Sequence, residues 1–129
     1  MARILVVEDD EDVARLFEAV LLRKGHQVSV VYSGSAALAE LEAGSYPLVI
    51  SDIQMSGMNG WELLDTVRRQ YEGTAVILVT GSGNEEDEKM AFARGAFAFL
   101  PKPVAMGILS GTVSAAITAQ RKPERVGAR

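Results

Sequence analysis

Five short apolar runs, each followed by a stretch with helical spacing, constrain this chain more than any other feature. The runs cover residues 4–7, 28–31, 48–50, 75–79 and 96–100. They are rich in Val and Ile and lack the polar alternation of a strand with one wet face, so they suit strands covered on both sides. Between them, Val13, Leu16, Phe17, Val20 and Leu21 fall on one face of a helix that Gly25 would end. Helices are also predicted over 35–43, 61–71, 85–94 and 104–120. Gly44, Gly73 and Gly95 each follow a predicted helix end, where a left-handed residue is often wanted. Five βα units in succession predict an α/β fold: a doubly wound, five-stranded parallel sheet with helices on both faces and right-handed crossovers.

With 129 residues, 48% of them hydrophobic, the chain can bury a real core and does not have a disordered composition. A net charge of −4 gives no reason to expect direct nucleic-acid binding by this segment. The absence of cysteine excludes disulfides and thiolate metal sites. No apolar run reaches the roughly 18 residues of a membrane span, and the first run is too short for a signal peptide. A cytoplasmic protein without a membrane partner is therefore expected. Residues 1–120 read as one domain, and 121–129, with four basic groups and one acid, read as a solvated tail or the start of a linker.

In an open parallel sheet, ligands bind beyond the carboxyl ends of the strands. The first strand runs into Glu8 and Asp9, the third into Asp52, the fourth into Thr80 and the fifth into Lys102 between two prolines. Each has an ordinary structural use: Asp10 or Asp12 can cap the following helix, and Thr is a good strand residue. Their joint placement at four strand ends is what matters. Carboxylates about 4 Å apart repel by roughly 4 kcal/mol at an effective dielectric near 20, so such a cluster needs a cation or must hold protons. Lys102 offsets one charge. An oxygen-only donor set without Cys or His favours a hard ion such as Mg²⁺. A cation, an ammonium and a hydroxyl around a carboxylate are the groups that stabilise a phosphoryl group in transfer, with Asp52 as nucleophile.

Four segments in order, Ile4-Leu5-Val6-Val7-Glu8-Asp9-Asp10, Leu48-Val49-Ile50-Ser51-Asp52-Ile53-Gln54-Met55, Val76-Ile77-Leu78-Val79-Thr80-Gly81 and Phe99-Leu100-Pro101-Lys102-Pro103, resemble the receiver domain of bacterial two-component response regulators. The resemblance implies the flavodoxin-like strand order 2-1-3-4-5. It implies that Glu8, Asp9, Asp52 and the backbone carbonyl of Gln54 hold Mg²⁺ (or Mn²⁺). Asp52 would accept a phosphoryl group from the phosphohistidine of a sensor histidine kinase or phosphotransfer protein, while Thr80 and Lys102 bind its oxygens. Thr80 and Phe99 would form the switch that alters a partner-binding surface, with Gln54 and Ser82 tuning the phosphate lifetime. The implied partners are a downstream output domain or protein and a phosphorylation-dependent second copy of the chain. The implied activity is confined to the protein's own phosphorylation and dephosphorylation. Ser56 and Asn59 depart from the common Pro and Asp of the loop after the acceptor, and Phe99 lacks a phenolic hydroxyl.

Three other readings fit less well. A phosphatase of the haloacid-dehalogenase type needs an acid two residues after the nucleophile, where Gln54 cannot shuttle a proton. A flavin binder needs a Gly/Ser/Thr loop after the first strand, where five acids stand instead. A pseudo-receiver docking module would lack the complete set of reactive groups.

Overall fold

The computed structural model describes residues 2–121, and the elements follow the alternation of the sequence. In order they are β1 (Arg3–Val7), α1 (Glu11–Arg23), β2 (Gln27–Val31), α2 (Gly34–Ala43), β3 (Leu48–Asp52), α3 (Gly60–Gln70), β4 (Ala75–Thr80), α4 (Glu85–Ala93), β5 (Ala98–Pro101) and α5 (Met106–Arg121). The strands form one parallel sheet in the order β2-β1-β3-β4-β5. Helix α5 runs through Arg121, and the rest of the basic tail, 122–129, lies outside the described residues.

Alternate strand residues feed two cores. Ile4, Val6, Ile50, Ile77 and Val79 pack with Phe17 and Leu21 of α1 and Leu109, Val113 and Ile117 of α5. Leu5, Val7, Val49, Val76 and Leu78 pack with Leu41 of α2, Leu63, Leu64 and Val67 of α3 and Ala91 of α4. A period-2 strand buried on both faces explains why β1, β3 and β4 read as unbroken apolar runs.

Several local expectations are corrected. Leu16 is 50% exposed, because the stripe of α1 runs through Ala14, Phe17 and Leu21 and leaves Leu16 at its edge. Of the predicted left-handed glycines only Gly25 and Gly95 have positive φ; Gly44 is extended and Gly73 is not left-handed, while Gly57 in the β3–α3 loop is. Helix α2 leaves through an extended connection, so no αL residue is needed there. Strand β5 begins at Ala98 and not at 96, because the Ala96 N–H is spent on the Ala91 carbonyl in the turn that closes α4. Helix α5 begins at Met106, after Val104 has been buried as part of the approach to it.

The ends of the helices nearest the sheet's carboxyl edge are firmly capped. The Asp10 carboxylate accepts from the N–H groups of Asp12 and Val13. Asn59 with Glu62, and Asn84 with Asp87, form reciprocal capping boxes at α3 and α4. Ile50→Ala, in a fully packed central strand, is expected to cost about 2–5 kcal/mol in urea unfolding, whereas Leu16→Ala should cost under about 1 kcal/mol.

Candidate functional site

Parallel register aligns the strand ends. Val7 pairs with Ser51, Asp52 with Val79, and Thr80 with Pro101. Glu8, Asp52, Thr80 and Lys102 therefore emerge on one edge of the sheet within about one residue of each other. Backbone hydrogen bonds carry the alignment past the last ladder pairs: Glu8 N–H to the Val31 carbonyl at 3.1 Å, Ile53 N–H to Val79 at 3.1 Å, and Lys102 N–H to Thr80 at 2.8 Å. The Lys102–Pro103 peptide is cis.

Glu8, Asp9 and Asp52 each offer a carboxylate oxygen, and the three lie within 4.8 Å of one another. Glu8 is 1% exposed and Asp52 7%, whereas Asp9 is open to solvent. The Lys102 ammonium stands 2.8 Å from Glu8 Oε1 and 3.1 Å from Asp52 Oδ2. The first of these is a charge contact without the alignment of a hydrogen bond, so the buried Oε1 has no well-directed donor. Glu8 Oε2 accepts from the Asp10 N–H at 3.1 Å. Burial raises the Glu8 pKa above 4.5; Lys102 and the Asp10 N–H pull against this, and the Asp52 charge adds to it. For Lys102, burial acts to lower the pKa, but Glu8 and Asp52 together outweigh it and raise the value above 10.5.

Three carboxylates thus face one ammonium. An oxygen-only set, one member of which is buried without a directed donor, fits a hard divalent cation. The Gln54 N–H approaches Asp52 Oδ1 at 3.4 Å, and Gln54 Nε2 donates to Ser82 Oγ at 2.8 Å, which links the β3–α3 and β4–α4 loops. Thr80 is 3% exposed, and its Oγ1 accepts from the Ser82 N–H at 3.2 Å. Phe99 is half-buried against the α2–α3–α4 core. A cavity of about 640 Å³ opens beside the carboxylates, lined in part by Asp9, Gln54, Asn59 and Trp61. Glu8, Asp9, Asp52, Gln54, Thr80, Ser82 and Lys102 stand at this edge of the sheet, whereas Phe99 lies within β5, paired with Leu78.

Two contributors had no clear signal in the sequence. Gly60, the first residue of α3, is pressed against the acceptor's own backbone: a Cβ there would lie 2.5 Å from the Asp52 carbonyl oxygen and 2.7 Å from Ile53 Cα. Its N–H also donates to the Ile53 carbonyl at 2.8 Å. Trp61, at the cavity wall, lies under the Arg94 guanidinium at 5.3 Å, and Arg94 also approaches Asp65 at 3.6 Å, which ties the end of α4 to α3.

A family described as the response regulator receiver domain matches residues 4–114. The chain belongs to this family. It is a receiver domain of two-component response regulators, a signalling domain. The receiver is 35% identical over 113 residues to the transcriptional activator protein PfeR of Pseudomonas aeruginosa, covering 88% of this chain and 37% of PfeR. It is 35% identical over 128 residues to the regulatory protein VanRB of Enterococcus faecalis, covering 97% of this chain and 58% of VanRB. The chain thus spans less than two thirds of these relatives' length. Among solved structures, a CheY-like response regulator receiver domain protein from Methanospirillum hungatei superposes with a TM-score of 0.89 at 29% identity, over 95% of this chain and 98% of that one. No helix among the described residues is long and apolar enough to cross a membrane.

The raised pKa of Glu8 means that folding favours its protonated form. The stability this contributes is present below about pH 4.5 and is lost as the pH rises through the higher folded value. Ionised Glu8 is therefore a burden on the metal-free receiver at neutral pH. Glu8→Gln should raise the metal-free melting temperature at pH 7, an advantage that shrinks as the pH falls toward about 4.5, as followed by thermal unfolding at the two pH values. Gly60→Ala should cost about 1–3 kcal/mol in urea unfolding and shift the amide resonances of residues 52–54, because only backbone can move to admit the methyl.

Proposed function

We propose that this receiver is a phosphoacceptor switch in which Asp52 takes a phosphoryl group from the phosphohistidine of a sensor histidine kinase or phosphotransfer protein. The observation that carries this reading is the position of the Lys102 ammonium, 3.1 Å from Asp52 and 2.8 Å from Glu8, with Thr80 on the next strand. An Asp52 carboxylate oxygen attacks phosphorus, the bond from phosphorus to the donor imidazole breaks, and the imidazole recovers a proton from solvent. Water later attacks the acyl phosphate and returns inorganic phosphate and the free carboxylate. The receiver acts in this way on itself only and turns over no external substrate.

Glu8, Asp9, Asp52 and the Gln54 carbonyl would hold Mg²⁺ (or Mn²⁺), which supplies positive charge against the phosphoryl oxygens when bound. Lys102 already stands against the acceptor, so it can follow a phosphoryl oxygen without crossing the site. Burial of Asp52 and Glu8 lowers the local dielectric, which strengthens each of these charge contacts. The Thr80 hydroxyl exchanges its Ser82 N–H for a phosphoryl oxygen. That exchange alters the β4–α4 loop and the surface around Phe99, which together form the switch. Gln54 follows the acceptor by two residues and is hydrogen-bonded to Ser82, which follows Thr80 by two, and this supports a role for both in tuning hydrolysis.

The longer relatives named for transcriptional activation and regulation support an output domain or protein downstream, and phosphorylation-dependent pairing with a second copy is part of the same reading. Residues 1–120 would be the receiver unit, without direct nucleic-acid binding of its own, working in the cytoplasm. A pseudo-receiver that only docks would keep the fold without the chemistry. Incubation with Mg²⁺ and acetyl phosphate, followed by intact mass measurement, separates the two. The expected result is one added phosphoryl group on the wild type and none on Asp52→Asn. An unmodified wild type, or an equally modified Asp52→Asn, overturns the phosphoacceptor reading.

A further inference from the structure

Gly83 lies in the loop between β4 and α4, three residues after Thr80. A Cβ at this position would sit 2.5 Å from Phe99 Cζ, 3.0 Å from Phe99 Cε2 and 2.6 Å from Thr80 Cγ2. Carbon atoms at rest stand roughly 3.5–4.0 Å apart, so no side chain fits here while both neighbours keep their places. Backbone freedom is not the reason for glycine, because Gly83 is not among the residues with positive φ. Volume is. The neighbouring Gly81 makes the contrast: a Cβ there would have nothing within 4 Å. The bare α-carbon of Gly83 is therefore the spacer between the Thr80 methyl and the tip of the Phe99 ring.

Thr80 is β-branched, so the place of its methyl fixes the place of its hydroxyl. With Cγ2 against Gly83, Oγ1 is directed to the Ser82 N–H. A hydroxyl that turns toward a phosphoryl group on Asp52 must carry its methyl with it, across the space shared by Gly83 and Phe99. Phe99 has no hydroxyl with which to sense that movement by a hydrogen bond. It can sense it only by contact.

We propose that Gly83 is a positioning residue for the Thr80 hydroxyl, and that Thr80 and Phe99 are coupled through the volume above its α-carbon. The proposal rests on the phosphoacceptor reading of Asp52. It assigns to Gly83 a role in both the rate of phosphorylation and the response of the aromatic ring.

The test uses the full chain, Mg²⁺ and acetyl phosphate. The initial rate of phosphorylation is read by intact mass. Mg²⁺ affinity is read from the emission of Trp61, the single tryptophan, which lines the cavity beside Asp9. Gly83→Ala should slow phosphorylation on the order of ten- to a hundredfold, the scale of a misplaced reacting group, while Mg²⁺ affinity stays unchanged. Gly73→Ala, an exposed position where a Cβ meets nothing within 4 Å, should phosphorylate like the wild type. In a Thr80→Ser, Phe99→Leu background, which removes the two crowding groups and keeps the hydroxyl, adding Gly83→Ala should change the rate by less than about twofold. A wild-type rate in Gly83→Ala overturns the proposal. So does an equal loss in the reduced background, the result expected if the methyl only stiffened the loop. Should Gly83→Ala alone fail to fold, a folded and phosphorylated triple variant supports the proposal, and an unfolded one overturns it. A wild type that takes up no phosphoryl group fails the phosphoacceptor reading and this proposal together. Uptake by the wild type with an unaffected Gly83→Ala removes only the role of Gly83.

Discussion

The edge of this sheet depends on one ammonium held between two buried carboxylates. Lys102 comes from the end of β5, Glu8 from β1 and Asp52 from β3, so one cation joins three strands that lie at different places in the sheet. Without it, Glu8 and Asp52 would face each other as like charges in a setting where burial already disfavours them. With it, the cluster is still short of positive charge. That shortage is the useful property. Three carboxylates against one ammonium leave negative charge that a divalent cation would offset. The Glu8 pKa is raised chiefly by burial, and the Asp52 charge adds to it.

Parallel pairing is what makes such a cluster possible. Every strand enters at the same edge and leaves at the other, so residues far apart in sequence share one boundary. The two cores on either side of the sheet fix the strands' register, because a slip of one residue would exchange the contents of the two cores. Precision at the site therefore comes from apolar packing well below it. Gly60 extends this logic by letting α3 rest directly on the peptide between Asp52 and Ile53, so a helix as well as a ladder holds the acceptor. The cap formed by Asn59 and Glu62 fixes where that helix begins. Asn59 replaces a charge common at this position without losing the cap.

The sequence carried the fold and the groups that cluster at the strand ends, because both depend on residue type at a given spacing. Apolar runs of strand length alternating with helical stripes have few other solutions, and acids, a threonine and a lysine at four strand ends are visible before any coordinates. The parts that were not legible depend on distance. Gly81 and Gly83 stand in the same loop and look alike in the sequence, yet the space around Gly81 is open and the crowded position is Gly83. Gly44 and Gly73 follow helices as αL glycines do, but their backbones take other paths, and which path a chain takes after a helix is set by where the next strand lies. Leu16 has the spacing of a core residue but sits at the edge of the stripe that Ala14, Phe17 and Leu21 bury, and is half exposed. Arg94 over Trp61 joins two helices separated in sequence, a pairing that no local pattern announces.

In the proposed switch, a change at Asp52 travels through the β4–α4 loop and α4. Residues 81–86 are exposed throughout, and α4 buries Ala91 alone among its described residues. Its N-terminus is nonetheless well capped, with a reciprocal cap at Asn84 and Asp87 and acids at four positions in its first turn, where the helix dipole favours them. A helix that is well formed but lightly anchored moves as a body when its connecting loop moves. The anchors it has are few and directional: Ala91 in the core, Arg94 on Trp61 and Asp65, and the loop packed between Thr80 and Phe99. Rearrangement of Thr80 disturbs the last of these first. In the proposed switch, the buried central strands are the fixed point, and α4, which buries Ala91 alone among its described residues, is the element that responds.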